Sequence, residues 1–467
     1  MILLKLIFAA IIFPVTIGYI LISVILRDDD LYPLEMLALS YGIGVGIISF
    51  TMFLMGWLLV PLKVENILLV FSLLFASPVF FCIKNKRFLT LTISNIINNI
   101  TSLKYYEILT IFMILVRTFF SYFQALIKPV QEIDSIGYRM IEAKIFFVEK
   151  SLSINQSLGY FIGPAGQRNY PLNISLFSSW IYSVLGTWDD LLVKIIFPTF
   201  LLAMTVIFYY SMRRIANRAA SLFSTYLLLT LPFLIYHSST SYIDAVVGFY
   251  FFSSFAFLLL FIRTGKLSYL VLSALLAGIC TWTKNEGIFL IVNNLFVLLY
   301  FLIFKDKENN TVKFKNAIKY FVCILFFLAP WSLFRFVFRE HIPVPEEIPN
   351  LFHLFDYADR IPIMLDFYYR KMFFYGNYNI AWFVLIIVTV IAIIRKRIFL
   401  ENMIVLFSVF FGMSAFGSVY CFSKNCWPYL LDGTIQDRNF LTFISLVVFY
   451  SCISIFRKND NILGGSK

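Results

Sequence analysis

Two acidic side chains that could take part in acid–base chemistry lie between long apolar runs of this 467-residue chain. Glu132 and Asp134 are two residues apart and follow directly after an apolar run. Two carboxylates at this spacing can bind a cation, or one can act as a base whose proton affinity the other adjusts. Asp134 and Ser135 are also good N-cap residues, so a solvated cap on the next helix explains the segment equally well. The two interpretations remain open at this point.

Other charged residues stand at the ends of apolar runs in the same way. Asp244 begins one such run, where an acidic residue also suits the positive end of a helix dipole. His237 lies shortly before it and could bind a metal ion, although one histidine is weak evidence for that. Lys284 and Glu286 share a short polar turn, and Arg438 precedes the last apolar run. Lys284 and Arg438 can hold a phosphate, or their side chains can extend from the apolar region to water.

The elements that must position these residues are membrane-spanning helices. Hydrophobic residues make up 60% of the chain and charged residues only 14%, and the mean hydropathy is +0.85. A soluble protein of this length needs a charged surface that this composition does not provide. The apolar runs do not alternate with polar residues as the strands of a membrane barrel would. We therefore predict an all-α, polytopic membrane bundle.

The lengths of the apolar runs predict about thirteen membrane-spanning helices. The first run lacks a small-residue cleavage site and precedes a charged link, which predicts a retained helix rather than a signal peptide. The predicted spans lie near residues 2–26, 35–61, 65–83, 106–127, 191–211, 218–236, 242–262, 267–283, 287–304, 317–338, 379–394, 401–420 and 439–456.

Basic residues predict the orientation of this bundle. The chain has a net charge of +12, and its lysines and arginines cluster in the links after the third, fifth, seventh, ninth, eleventh and last spans. These links all fall on one side, which the positive-inside rule makes cytoplasmic, so the charge is explained without nucleic acid. The link at residues 27–30 is acidic and leaves the orientation of the first two spans open.

The opposite side carries the longer polar segments, near residues 128–190, 339–378 and 420–438. Apolar residues at helical spacing in 138–150 and in 361–374 predict two helices that lie in the membrane interface. The candidate residues therefore gather at one face of the bundle.

Two further features belong to these external segments. Tyr170-Pro171 opens an apolar run that ends at Gly186, which predicts a re-entrant or interfacial helix started by proline. Cys421 and Cys426 share one external segment, so an oxidising compartment could join them, but two unrelated thiols explain them equally well.

Taken in order, these segments resemble the large family of membrane glycosyltransferases with the C fold, which includes the protein mannosyltransferases and the bacterial enzyme that adds aminoarabinose to lipid A. The resemblance covers residues 106–305 well and the last span weakly. It depends on the order, the spacing and the common membrane side of five segments. These are Asp134 to Tyr138 followed by Ala143 and Lys144, then Tyr170 to Gly186, Tyr242 to Asp244, Gly278 to Gly287, and finally Arg438.

The resemblance also divides the chain into three parts. It implies N-terminal membrane helices in residues 1–105 and a glycosyltransferase core in residues 106–305, with a catalytic external loop at 128–190. C-terminal membrane helices would follow in residues 306–467, with the external loops 339–378 and 420–438.

The same resemblance implies an inverting transferase that takes a sugar from a polyprenyl-phosphate donor at the non-cytoplasmic face. Asp134 would be the general base that removes the proton of the acceptor hydroxyl. Lys284 and Arg438 would bind the donor phosphate and stabilise its charge as it leaves. Further candidates for contacts with sugar, acceptor or metal are Glu132, Tyr170, His237, Asp244 and Glu286.

Cofactor, partners and location follow from the resemblance as expectations. Many relatives have a glutamate directly after the catalytic aspartate, where this chain has Ser135. A divalent cation is therefore left open as a cofactor, with Glu132 and His237 as its candidate ligands. The expected partners are the polyprenyl-phosphate sugar, a glycan, lipid or protein acceptor, and membrane lipid. The compact loops suit a bacterial cytoplasmic membrane with the active site on the periplasmic or extracellular side.

Two other functions compete with this interpretation. A transporter or lipid flippase would need charged or broken helices near the middle of the bilayer, whereas the charges here gather at one face. A glycan polymerase or ligase would transfer a whole glycan from a lipid diphosphate and typically has arginine-rich external loops. Arg339, Arg360 and Arg370 leave that alternative open, and the sequence does not indicate which sugar or acceptor is used.

Overall fold

The computed structural model describes residues 1–26, 31–85, 102–154, 162, 168–306, 308–342, 357–396, 399–423, 426–433 and 436–457. Within these ranges the chain forms nineteen helices and no strand, so the predicted all-α polytopic bundle is confirmed. The acidic link at 27–30, parts of the basic links and parts of the three external segments lie outside the described residues.

Nine helices of the described chain are long and apolar enough to span a membrane. They are α1 (Ile2–Ile25), α2 (Pro33–Trp57), α3 (Val64–Lys84), α4 (Tyr105–Ile127), α7 (Leu192–Arg213), α10 (Asp244–Thr264), α12 (Gly287–Phe304), α13 (Asn310–Val337) and α16 (Leu400–Phe422).

The other four predicted spans are shorter or broken. Three of them are apolar helices of 10–17 residues: α11 (Leu267–Thr283), α15 (Ala381–Ile394) and α19 (Ile444–Phe456). The span predicted at 218–236 is two helices, α8 (Arg218–Leu229) and α9 (Pro232–His237). Pro232 explains the break, because proline has no N–H to donate and its ring collides with the preceding helical turn.

Five helices belong to the external segments. The first long segment forms α5 (Met140–Glu149) and α6 (Asn173–Leu185), and the later ones form α14 (Arg360–Phe373), α17 (Trp427–Leu431) and α18 (Gln436–Leu441). The predicted helices at 138–150 and 361–374 correspond to α5 and α14. Helix α6 begins two residues after Pro171 and is buried along nearly its whole length, against α2 and α5. No disulfide joins Cys421 and Cys426 in this structure.

Helix α10 lies at the centre of the bundle, since 89% of its apolar window is buried. It packs against α7, α11 and α12, while α11 packs in turn against α13 and α2. Helices α15 and α16 pack on α19. The first residue of the central helix is Asp244, so the fold places a carboxylate at the middle of one end of the bundle.

Ion pairs at the other end of the bundle join the links that carry the basic residues. Arg214 contacts Glu35 at 2.6 Å, and Arg218 contacts Glu107 at 2.7 Å. Glu401 contacts both Arg263, at 3.1 Å, and Arg457, at 2.9 Å. Because Glu35 lies in the first turn of α2, its contact with Arg214 places the start of α2 at this basic end. The first two helices therefore follow the same alternation as the rest of the bundle.

Candidate active site

Asp134 stands between α4 and α5, at the start of a π-helical turn that covers Ser135–Arg139. The Ser135 hydroxyl donates a hydrogen bond to the carbonyl of Ser241 at 2.9 Å and so ties this turn to the segment before α10. The Asp134 carboxylate makes no capping hydrogen bond and instead accepts one from Arg438 Nη1 at 2.6 Å. The N-cap alternative is therefore not the arrangement in this structure.

Asp244 is fully buried and connects two cations. Its Oδ1 accepts a hydrogen bond from Lys284 Nζ at 2.9 Å, and its Oδ2 accepts one from Arg438 Nε at 3.0 Å. A carboxylate in an apolar interior is stable only when it is paired in this way. Asp244 therefore holds Lys284 and Arg438 in place, which is more than the capping role that its position at a helix start suggested.

Lys284 lies in the short turn between α11 and α12, where it is 6% exposed. Its Nζ also contacts Glu286 Oε1, at 2.7 Å. Burial alone would lower the pKa of Lys284, but the carboxylates of Asp244 and Glu286 more than offset this and raise it. The lysine is therefore a permanently charged member of the site and does not extend to water.

Two local features fix the turn that carries Lys284. A Cβ on Gly287 would lie 2.4 Å from the carbonyl oxygen of Cys280, so only glycine lets α12 begin this close to α11. The Thr283 hydroxyl accepts a hydrogen bond from Asn173 at 2.7 Å, and Asn173 accepts one from Ser49 at 2.6 Å. The turn is thereby tied to α6 and α2.

Arg438 joins Asp134 to Asp244 from the short helix α18. Burial opposes its charge, yet the two carboxylates raise the pKa of Arg438 above its ordinary value. Its guanidinium also lies 4.2 Å from the ring centroid of Tyr242. The five residues form a continuous series of contacts, which we call the ion-pair chain, in the order Asp134, Arg438, Asp244, Lys284 and Glu286.

The residue before Arg438 takes part in a second buried ion pair that the sequence did not indicate. Lys371 of α14 contacts Asp437 at 2.8 Å and donates to the carbonyl of Gly433 at 3.1 Å. The Tyr378 hydroxyl donates to the carbonyl of Asp437. These contacts anchor α18 to the external segment after α13. In the sequence, the one indication of this ion pair was that Asp437 directly precedes Arg438.

His237 packs beside Asp244, with its Nδ1 atom 4.0 Å from Asp244 Oδ2 and its ring between those of Phe233 and Tyr242. Burial lowers the pKa of His237 to about 4, so the imidazole is neutral near pH 7. The histidine is thus a buried neutral neighbour of the ion-pair chain.

The remaining candidates lie around the ion-pair chain. Glu132 accepts hydrogen bonds from the hydroxyl and the N–H of Ser241, at 2.5 and 3.4 Å. The guanidinium of Arg139 lies over the ring of Tyr170, 4.8 Å from the ring centroid. In the described part of the chain no three His, Cys, Asp or Glu residues form a group that could hold a metal ion. Among the described residues, Glu132 and His237 are not part of such a group.

Comparison with protein families gives a match in the middle of the chain. A family model described as dolichyl-phosphate-mannose-protein mannosyltransferase matches residues 171–334. Neither the curated proteins nor the solved structures gave a match. The matched range contains His237, Asp244, Lys284 and Glu286, whereas Asp134 and Arg438 lie outside it. The predicted resemblance is confirmed over residues 171–334, which are similar to this family of membrane glycosyltransferases of the GT-C type.

Proposed function

We propose that this protein transfers a sugar from a polyprenyl-phosphate donor to an acceptor hydroxyl, with inversion and with Asp134 as the general base. The observation that carries the proposal is the ion-pair chain. Asp134 and Arg438 lie outside the matched segment, and the contact of Arg438 with Asp244 links them to Asp244 and Lys284 within it. A glycosyltransferase needs a base and cations next to one another, and this series of contacts provides both.

Asp134 is the member of the ion-pair chain best placed to meet an acceptor. Its side chain is 34% exposed, whereas that of Asp244 is fully buried. In the proposed step Asp134 takes the proton of the acceptor hydroxyl while that oxygen forms a bond to the anomeric carbon. The bond from that carbon to the phosphate oxygen breaks, and the polyprenyl phosphate leaves with the electron pair. A single displacement of this kind inverts the anomeric centre.

Arg438 connects the two halves of this reaction. When Asp134 accepts a proton it loses its charge, and its attraction to the guanidinium of Arg438 weakens. At the same time the leaving phosphate gains one negative charge, so the total charge of the site is unchanged. Arg438 can then interact with the phosphate together with Lys284, both fixed beforehand by Asp244. Such preorganised cations are worth several kcal/mol in a site that excludes water.

We place this chemistry on the non-cytoplasmic side of a membrane, in the manner of a bacterial cytoplasmic membrane with a periplasmic active site. The ion-pair chain lies at the end of the bundle that carries the long external segments. The paired arginines Arg214, Arg218 and Arg263 lie at the opposite end, which the positive-inside rule assigns to the cytoplasm.

The test is donor consumption by purified protein with a panel of polyprenyl-phosphate sugars. We expect Asp134→Asn to lower donor consumption, including slow hydrolysis, by about 10²–10⁴-fold, because it keeps the size of the side chain and removes its basicity. Asp366→Asn is the matched control, since Asp366 is an external carboxylate, 50% exposed and paired only along its own helix with Arg370. Equal consumption by wild type and Asp134→Asn would remove Asp134 from the mechanism.

The same assay addresses the donor class and the cation. A folded wild-type protein that consumes no donor would favour the polymerase or transporter alternatives. Repeating the wild-type assay with EDTA tests the cation, and we expect activity to persist because the described residues offer no group of three ligands. Loss of activity with EDTA and its return with Mg²⁺ or Mn²⁺ would establish a cation requirement.

A further inference from the structure

A cavity of about 540 Å³ opens beside the Asp134 end of the ion-pair chain. One of its walls is the membrane-facing side of α4, where Phe120, Phe123 and Ile127 are 41%, 50% and 51% exposed. In a bilayer these side chains meet lipid tails, because α4 is one of the helices long enough to span it. The cavity is therefore open towards the membrane, and an occupant that enters by this wall is apolar at one end.

The opposite wall of the cavity is polar and leads to the base. Glu132, Ser239 and Tyr242 line it, together with Gln124. The ring of Tyr242 lies against the guanidinium of Arg438, which holds the Asp134 carboxylate at 2.6 Å. The cavity thus ends one side chain away from the proposed base.

The charges that line the cavity favour an anionic occupant. Lys128, at the C-terminal end of α4, and Lys194, in the first turn of α7, line it, and the single carboxylate among the lining residues is Glu132. Lys194 is fixed in place because its Nζ donates to the carbonyls of Lys128 and Pro129, at 2.9 and 3.4 Å. With two cations and one carboxylate, the lining of the cavity has a net positive charge.

The order of the ion-pair chain indicates which substrate belongs in this cavity. The proposed leaving phosphate lies with Lys284 and Arg438, and Lys284 is separated from Asp134 by Arg438 and Asp244. The acceptor hydroxyl must lie beside Asp134, on the side where the cavity opens. The donor and the acceptor would therefore approach the ion-pair chain from different ends.

We propose that this cavity binds the acceptor, and that the acceptor is a membrane amphiphile with an anionic, hydroxyl-bearing headgroup. The inference rests on the function proposed above and adds to it the chemical class of the acceptor. The headgroup hydroxyl gives its proton to Asp134 and its oxygen forms the new bond to the sugar, while the apolar chains lie along α4. Soluble peptides and free sugars lack the apolar part that this wall contacts.

The test uses a photoactivatable phosphatidylglycerol, whose headgroup combines a phosphate with free hydroxyls. The full-length protein is reconstituted in phosphatidylcholine vesicles that contain this probe. After irradiation we expect crosslinks at Tyr236 and Tyr242, which line the cavity, and we expect unlabelled phosphatidylglycerol to compete for them. The variant Gln124→Trp fills the cavity and should reduce these crosslinks by at least about tenfold, whereas Phe119→Trp, at a 70% exposed site of the same helix, should not.

Three results would overturn the proposal. Crosslinks that are spread over the outer face of α4 and unchanged in Gln124→Trp would mean that only surrounding lipid is labelled. Competition by phosphatidylcholine as strong as that by phosphatidylglycerol would remove the role of the headgroup. Competition by polyprenyl phosphate instead of phosphatidylglycerol would assign the cavity to the donor.

Donor hydrolysis by wild type in vesicles of phosphatidylcholine alone is measured separately. An absence of donor hydrolysis would contradict the proposed function. The crosslinking results described above would contradict only the inference about the acceptor.

Discussion

Asp244→Asn is expected to reduce stability much more than Asp134→Asn, although the two carboxylates belong to the same ion-pair chain. Asp244 is fully buried and binds two cations, whereas Asp134 is 34% exposed and binds one. At separations of 2.9 and 3.0 Å, each contact of Asp244 has a Coulomb attraction of about 5.5 kcal/mol at an effective dielectric constant of about 20. Desolvation offsets much of that attraction in the wild type, so the measurable loss is smaller.

The expected sizes follow from what each variant leaves behind. Removing one partner of a buried ion pair typically costs about 3–5 kcal/mol, because a cation stays buried without compensation. In Asp244→Asn, Lys284 keeps Glu286 at 2.7 Å and Arg438 keeps Asp134 at 2.6 Å, which places the loss near the lower limit of about 3 kcal/mol. A partly exposed pair is worth about 0–1 kcal/mol, and this is the loss expected for Asp134→Asn.

The assay is unfolding in detergent, followed by tryptophan fluorescence, with Asp366→Asn as the exposed control. The double variant Asp244→Asn/Lys284→Met should recover part of the loss, since the cation is removed together with its partner, with a coupling of about 1–3 kcal/mol. Equal stabilities for Asp244→Asn and Asp134→Asn would refute the reasoning, because the burial of Asp244 would then have no energetic consequence.

Two further predictions concern Arg438 and His237. Arg438→Lys keeps the charge but not the planar fork that contacts Asp134 and Asp244 together, so sugar transfer should fall by about a hundredfold, and near-normal rates would show that a point charge suffices. For His237, the pKa in the folded protein is lowered to about 4 from the ordinary 6.5, so the folded state favours the neutral ring. Its contribution to stability is therefore full above pH 6.5 and is lost as the pH falls through 4, by about 3 kcal/mol in all. His237→Phe should flatten the pH dependence of unfolding between these values, and an unchanged acid slope would assign that slope to other groups.

The sequence was sufficient to predict most of the bundle because membrane spans depend on local composition. The charged candidates were also found locally, since each stands where an apolar run begins or ends. Pro232 indicated that the span at 218–236 is broken. The prediction of one continuous span followed the length of the apolar run instead. The buried position of α6 could not be read from its own residues, because a re-entrant helix and a helix enclosed by others have the same apolar pattern.

The contacts within the site depend on packing and not on local pattern. Asp134 and Arg438 are 304 residues apart, and no spacing rule predicts that they meet. The pair between Lys371 and Asp437 was missed because Lys371 follows the pattern of an interfacial helix, in which lysines usually face water. The roles assigned to Asp134, Lys284 and Arg438 remain predictions that the variants above test.

The distance along the chain between Asp134 and Arg438 has a consequence for biosynthesis. Asp244 meets its first cation, Lys284, only 40 residues later, so that pair can form while the core helices are being inserted. Arg438 leaves the ribosome nearly two hundred residues after Asp244, and the apolar helices α12, α13, α15 and α16 are made in between. Until then Asp134 has no contact with Arg438, and the ion-pair chain is incomplete. The ion-pair chain is therefore completed only in the last stage of assembly, and on the function proposed above a chain that stops before α18 would lack transferase activity.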